Sequence, residues 1–138
     1  MRKHLLPLVS GMACLLAVLL GGCANPGPKT APVKGAITYA GNAVPHGTIM
    51  FQPAEGPAAT AEIKAGVYIL KTFKDGDGAV LGNHKVTVIS LPDQSGLLPE
   101  NRNPLPAPIV PLKFSFPDQS GLSAAVEDKQ NVINFDLK

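Results

Sequence analysis

Few side chains in this chain have the type and setting to do chemistry. Two cysteines are present, Cys14 and Cys23, and three histidines, of which only His46 and His84 lie beyond the first few residues. Two histidines with no cysteine nearby and no carboxylate at ligand spacing do not make a zinc site, because zinc needs three or four converging donors. His46 falls in a turn and His84 at the start of an apolar run, so both are read as solvated or locally bonded. The run Asp75-Gly76-Asp77-Gly78 offers carboxylates in a loop, which suits Ca²⁺. An EF-hand loop begun at Asp75 would however need glutamate at position 86, where Val86 stands, so a tight turn is the better account. No Gly-x-Ser-x-Gly, His-Glu-x-x-His or phosphate-binding glycine loop occurs. The residues thus predict no catalytic site, no metal and no cofactor, and the chain is read as no enzyme.

Cys23 is different, because its setting is specific. Arg2, Lys3 and His4 form a basic start, and Leu5 to Leu20 a 16-residue apolar run. Gly21 and Gly22 then lead into Cys23. A secretory signal has this anatomy, and a retained span would need about 20 apolar residues. Leu19-Leu20-Gly21-Gly22-Cys23 resembles the lipobox of bacterial lipoproteins, in which cleavage precedes a cysteine whose thiol carries a diacylglyceryl group. The resemblance implies lipidation at Cys23 and loss of residues 1–22, Cys14 included. Ala24 in place of aspartate implies, by similarity to proteobacterial sorting, the outer membrane.

Removing residues 1–22 from 138 leaves 116, a single domain's length. Its sole cysteine would be acylated, so no disulfide could staple it and an apolar core must hold it. Arg2 and Lys3 would leave with the signal, and the 12 basic residues of the whole chain would fall to match its 10 acidic ones. That balance argues against nucleic acid as a partner. The membrane, reached through the N-terminal lipid, is the expected partner, with an envelope protein or a carbohydrate as further possibilities.

The elements around these residues follow from the pattern. Residues 23–32 hold three prolines and a glycine and read as a lipidated tether, reaching about 25–30 Å when extended. From Val33 short β-type runs alternate with turns: Val33–Tyr39, Gly47–Gln52, Ala59–Lys64, Val67–Phe73, His84–Leu91, Leu122–Val126 and Val132–Leu137. About seven short strands in residues 33–138, each with one apolar face, predict an all-β domain, an antiparallel β-sandwich. Ile37, Ile49, Phe51, Ile63, Tyr68, Leu70, Val86, Val88, Val126 and Phe135 are the expected core. Residues 92–117 interrupt the pattern with seven prolines, including Pro104-Leu105-Pro106-Ala107-Pro108, and read as a stiff surface insertion. Pro92-Asp93-Gln94-Ser95-Gly96-Leu97 recurs as Pro117-Asp118-Gln119-Ser120-Gly121-Leu122, read as one turn chemistry used twice.

The order of motifs carries a resemblance of its own. Val33-Lys34-Gly35-Ala36-Ile37-Thr38-Tyr39 followed by Gly41 to Phe51 is similar to the opening of small lipoproteins of planctomycete-type bacteria. The similarity continues through Ala61–Tyr68, Gly82–Val88, Ser120–Val126 and Asn134–Leu137, with the proline-rich stretch around 99–111 longer than usual. It implies a carboxypeptidase regulatory-like, transthyretin-like (prealbumin-like) sandwich. One enzyme of that fold, 5-hydroxyisourate hydrolase, uses histidine, arginine and a C-terminal Tyr-Arg-Gly-Ser. This chain ends Asn134-Phe135-Asp136-Leu137-Lys138, and Arg102 is its one arginine after Arg2. The expected function is therefore a membrane-anchored, non-enzymatic binding or assembly module of the cell envelope. A carbohydrate-binding accessory module is the alternative, with Tyr39, Tyr68 and Phe73 as its candidate stacking rings.

Overall fold

The computed structural model describes residues 26–93 and 107–138. The apolar run, Cys23 and most of the first Pro-Asp-Gln-Ser-Gly-Leu copy lie outside the described residues, as do Pro104, Leu105 and Pro106. The chain is all-β, with the strands β1 (Thr30–Ala31), β2 (Val33–Tyr39), β3 (Asn42–Ala43), β4 (His46–Pro53), β5 (Ala59–Lys64), β6 (Val67–Ile69), β7 (Ala79–Val80), β8 (Gly82–Ile89), β9 (Leu122–Val126), β10 (Asn131–Val132) and β11 (Phe135–Leu137). β1 pairs β7, and the rest form a sheet in the order β10-β2-β6-β5-β4-β8-β9, with β3 and β11 also on β2.

β4 and β8 form the centre, eight residues each and antiparallel from Thr48↔Ile89 to Pro53↔His84. Their inward residues alternate, as a half-buried strand requires. Ile49 and Phe51 of β4 and Val86 and Val88 of β8 are fully buried. Nine of the ten expected core residues are buried, Phe135 being the exception. It sits on β11 at the sheet's end, half-buried, its ring edge-on to Phe51 at 6.0 Å between centroids.

The sheet curls so that its two ends approach each other. β9 ends one side, β10 begins the other, and only Glu127–Gln130 lie between them. Asn131 fixes this closure. Its amide nitrogen donates to Pro32, Glu127 and Lys129 carbonyls at 3.2, 3.0 and 2.7 Å, and its Oδ1 accepts the Glu127 N–H at 3.0 Å. A buried amide with this many partners is fully satisfied, so its burial carries no desolvation penalty that is left unmatched.

The sheet is not wholly antiparallel, contrary to the pattern's implication. β10 and β11 run parallel to β2. Val132–Leu137 is also split, into β10 and β11, and at the break the chain passes close over Gly35. A Cβ on Gly35 would lie 1.7 Å from the Ile133 carbonyl oxygen, so only glycine lets the final strand cross β2 there. The gap between β10 and β11 is bridged by Asn134 Oδ1, which accepts the Ala36 N–H at 2.8 Å.

Two boundaries also move. Thr30 and Ala31, expected in the tether, form β1 against Val80 and Ala79, and Ala31 is buried. Gly78 permits this pairing, since a Cβ there would meet the Ala31 oxygen at 1.8 Å and its φ is +80°. Within 92–117, the described part from Ala107 does not simply lie on the surface. The Ile109 N–H donates to the Ser90 carbonyl at 3.0 Å, Val110 is buried, and a single 3₁₀ turn at Leu112–Ser115 buries Phe114. Apolar side chains among the prolines were core contacts that composition alone hides.

Candidate functional site

The residues with chemical potential do not converge. His46 is exposed at the start of β4, while His84 is paired with Pro53 at its far end. Seven residues of strand at about 3.3 Å each hold the two imidazoles roughly 23 Å apart. His84 points inward, 2 % exposed, with its ring 5.8 Å from that of Phe51. Its Nε2–H donates to the Val80 carbonyl at 2.6 Å, which anchors the β7–β8 corner. Nδ1 is buried with no partner among the described residues.

The Asp75–Gly78 loop is a turn whose carboxylates are already engaged. Asp77 accepts N–H groups from Thr72 (2.8 Å), Phe73 (2.9 Å) and Lys74 (3.1 Å). Burial alone would raise the Asp77 pKa, but these three donors and the Lys74 charge outweigh it and hold the carboxyl below its ordinary range. Asp75 pairs with Lys71 at 3.2 Å. The same turn ends β6 at Ile69, four residues short of the expected strand end at Phe73. No cluster of three or more metal-ligating side chains occurs among the described residues.

Two grooves mark the sheet's outer surface. The first, about 580 Å³, lies where β4, β8 and β9 meet the Pro117 turn. Gln52, Lys85 and Ser123 share its rim in cross-strand register. Lys85 pairs with Asp118, and this hydrogen-bonded ammonium holds the exposed Asp118 carboxyl below its ordinary value. Ser123 forms no side-chain hydrogen bond to a base among the described residues, and the donor nitrogen of His84 is spent on Val80. The arrangement sets polar side chains of β4, β8 and β9 along one rim. The second groove, about 560 Å³, runs over β5 and β6. Val67 and Ile69 form its exposed apolar floor between the pairs Lys64–Glu62 (3.0 Å) and Lys71–Asp75. An apolar floor with a charged rim has the composition common to binding surfaces.

The aromatic residues do not form a row. Tyr68 is buried, its hydroxyl donating to the Ile133 carbonyl at 2.6 Å, and burial pushes its pKa well above the ordinary tyrosine range. Tyr39 is half-buried, and Phe73 alone of the three is largely exposed. In the second Pro-Asp-Gln-Ser-Gly-Leu copy, the Gln119 and Ser120 N–H groups donate to the Phe116 carbonyl, and Ser120 Oγ accepts the Leu122 N–H. Gly121 takes φ +65°. Ser120 and Gly121 thus take the turn roles their types predict, whereas Asp118 pairs with Lys85 instead of the local backbone. Asn131 was hidden from sequence reasoning, because it stands in a polar connector that looks like any other turn.

No helix among the described residues is long and apolar enough to cross a membrane. No family model matches the chain, and no curated protein or solved structure is significantly similar to it.

Proposed function

We propose that this chain is a lipid-anchored protein of the bacterial cell envelope, acylated at Cys23, whose β-domain works as a binding or assembly module and not as an enzyme. The observation that carries the reading is the run Leu19-Leu20-Gly21-Gly22-Cys23 behind a basic start and a 16-residue apolar stretch. Ala24 supports sorting to the outer membrane. The apolar floor of the β5–β6 groove supports binding as the activity, since exposed apolar surface with a polar rim favours a partner. A transthyretin-like sandwich is the finer fold we propose. It is supported by a curled sheet in which, among the described residues, seven strands have three residues or more and two are two-residue pieces, with β1 and β7 paired apart from it. The carbohydrate alternative draws on stacking rings, and of its three candidates Phe73 is the one available.

Metabolic palmitate labelling of the whole chain tests the anchor. Wild type should take up label and Cys23→Ala should not. Equal labelling of both would overturn the proposal. Crosslinking from envelope membranes then tests the module: a defined protein enriched by wild type over an unrelated lipid-anchored domain is the expected result.

A further inference from the structure

The most exposed large apolar side chains are Ile69 (65 %), Val132 (64 %) and Phe73 (61 %), and all three lie at the end of the fold where the chain enters. Ile69 and Val132 stand in register on either side of Lys34, near the start of β2. Phe73 lies against the incoming chain itself, because a methyl group on Gly27 would sit 3.6 Å from its Cζ. Lys34 is exposed and makes no ion pair among the described residues. Elsewhere on the surface, Leu112 and Phe116 of the segment before β9 are exposed, as is Ile89 at the other end of β8. There Ser115 Oγ reaches the Val88 carbonyl at 3.4 Å.

Chain length decides what the entry end faces. Gly27 follows Cys23 by only four positions, and four fully extended steps span at most about 14 Å. A domain of this size has a radius of gyration of about 13 Å. The leash is therefore about as long as the domain's radius of gyration, and an acylated Cys23 would keep the entry end toward the lipid. The far end of β8 lies about 23 Å further off, by seven residues of strand at about 3.3 Å each.

We infer that the domain rests on the bilayer surface through its chain-entry end, with Phe73 inserted at the interface and Ile69 and Val132 flanking Lys34 beside it. This rests on the lipid-anchor reading of Cys23. An aromatic ring and short aliphatic side chains next to a lysine suit the headgroup boundary, where apolar atoms leave water and the ammonium meets lipid phosphate. The module is thereby oriented: the entry end is covered, and the far end of β8, at Ile89, faces outward.

The chain contains no tryptophan, so Phe73→Trp and Phe116→Trp each give a single reporter. The lipidated full chain is reconstituted into vesicles of phosphatidylethanolamine and phosphatidylglycerol, with or without lipids brominated on the acyl chain. Vesicle flotation is read on the same samples. The expected result is that both variants float, that bromination roughly halves the Phe73→Trp emission, and that Phe116→Trp emission is unchanged, since side chains seated at the boundary lie within reach of the upper acyl carbons. Flotation without quenching at position 73 would overturn the seat while leaving the anchor intact. A blue-shifted but unquenched Phe73→Trp would mean that protein covers this end and would overturn it as well. Loss of flotation would remove the anchor and the seat together. Ten or more Gly/Ser residues inserted after Ala24 should preserve flotation and weaken quenching, separating a short leash from intrinsic affinity for lipid.

Discussion

Asp77 places both carboxylate oxygens inside one turn, on the N–H groups of Thr72, Phe73 and Lys74. This is the job a helix N-cap does, performed in a loop. Asp77→Ala should lower stability by about 1–2 kcal/mol at neutral pH, the usual range for losing such a cap. The sign with pH follows from the lowered folded pKa. The stabilisation is complete above the ordinary aspartate range and is lost as pH falls through the folded value. Urea melts of both proteins, at neutral pH and in acid, should show the difference shrinking in acid. An equal difference at both would place the effect elsewhere. His84 shows the limit of residue-level reading, since its position in an alternating run puts it inward but does not reveal that Nε2 serves the Val80 carbonyl.

At the scale of elements, the crossing of β2 by the C-terminal strand depends on Gly35. Its missing Cβ leaves room for the Ile133 carbonyl, which also accepts the Tyr68 hydroxyl. Gly35→Ala should therefore cost about 3 kcal/mol or more, at the upper end of overpacking effects, because backbone rather than a flexible side chain occupies the space. Chemical denaturation should show it, and a loss under about 1 kcal/mol would mean that β10 and β11 can shift aside at little cost. The strands themselves were legible from alternation, as Ile49, Phe51, Val86 and Val88 illustrate. Their partners were not, because parallel pairing of β10 and β11 with β2 depends on contacts about 98 residues apart, such as Ala36 with Asn134.

At the scale of the whole molecule, Phe51 joins the curl's parts. Its ring meets Tyr68 of β6 at 6.2 Å, His84 of β8 at 5.8 Å and Phe135 of β11 at 6.0 Å. Phe51→Ala should cost about 3–5 kcal/mol, the sum of lost transfer energy and a cavity shared by several strands. Thermal unfolding should remain a single transition, since the described strands share one core. Two separate transitions would show that the β4–β8–β9 side folds apart from the β2–β6 side.

By itself the sequence determined the β class, the inward faces and the short entry run that proposes a lipid anchor, because period-two alternation and an apolar stretch behind basic residues are local patterns. Tertiary structure alone decided the closure through Asn131, the recruitment of Thr30–Ala31, Val110 and Phe114 into the fold, and the placement of Gly27 beside Phe73. Each of these is a contact between residues distant in sequence. Local composition is the same whether a proline-rich stretch stays in water or docks. Only the surface it finds to pack against determines which occurs.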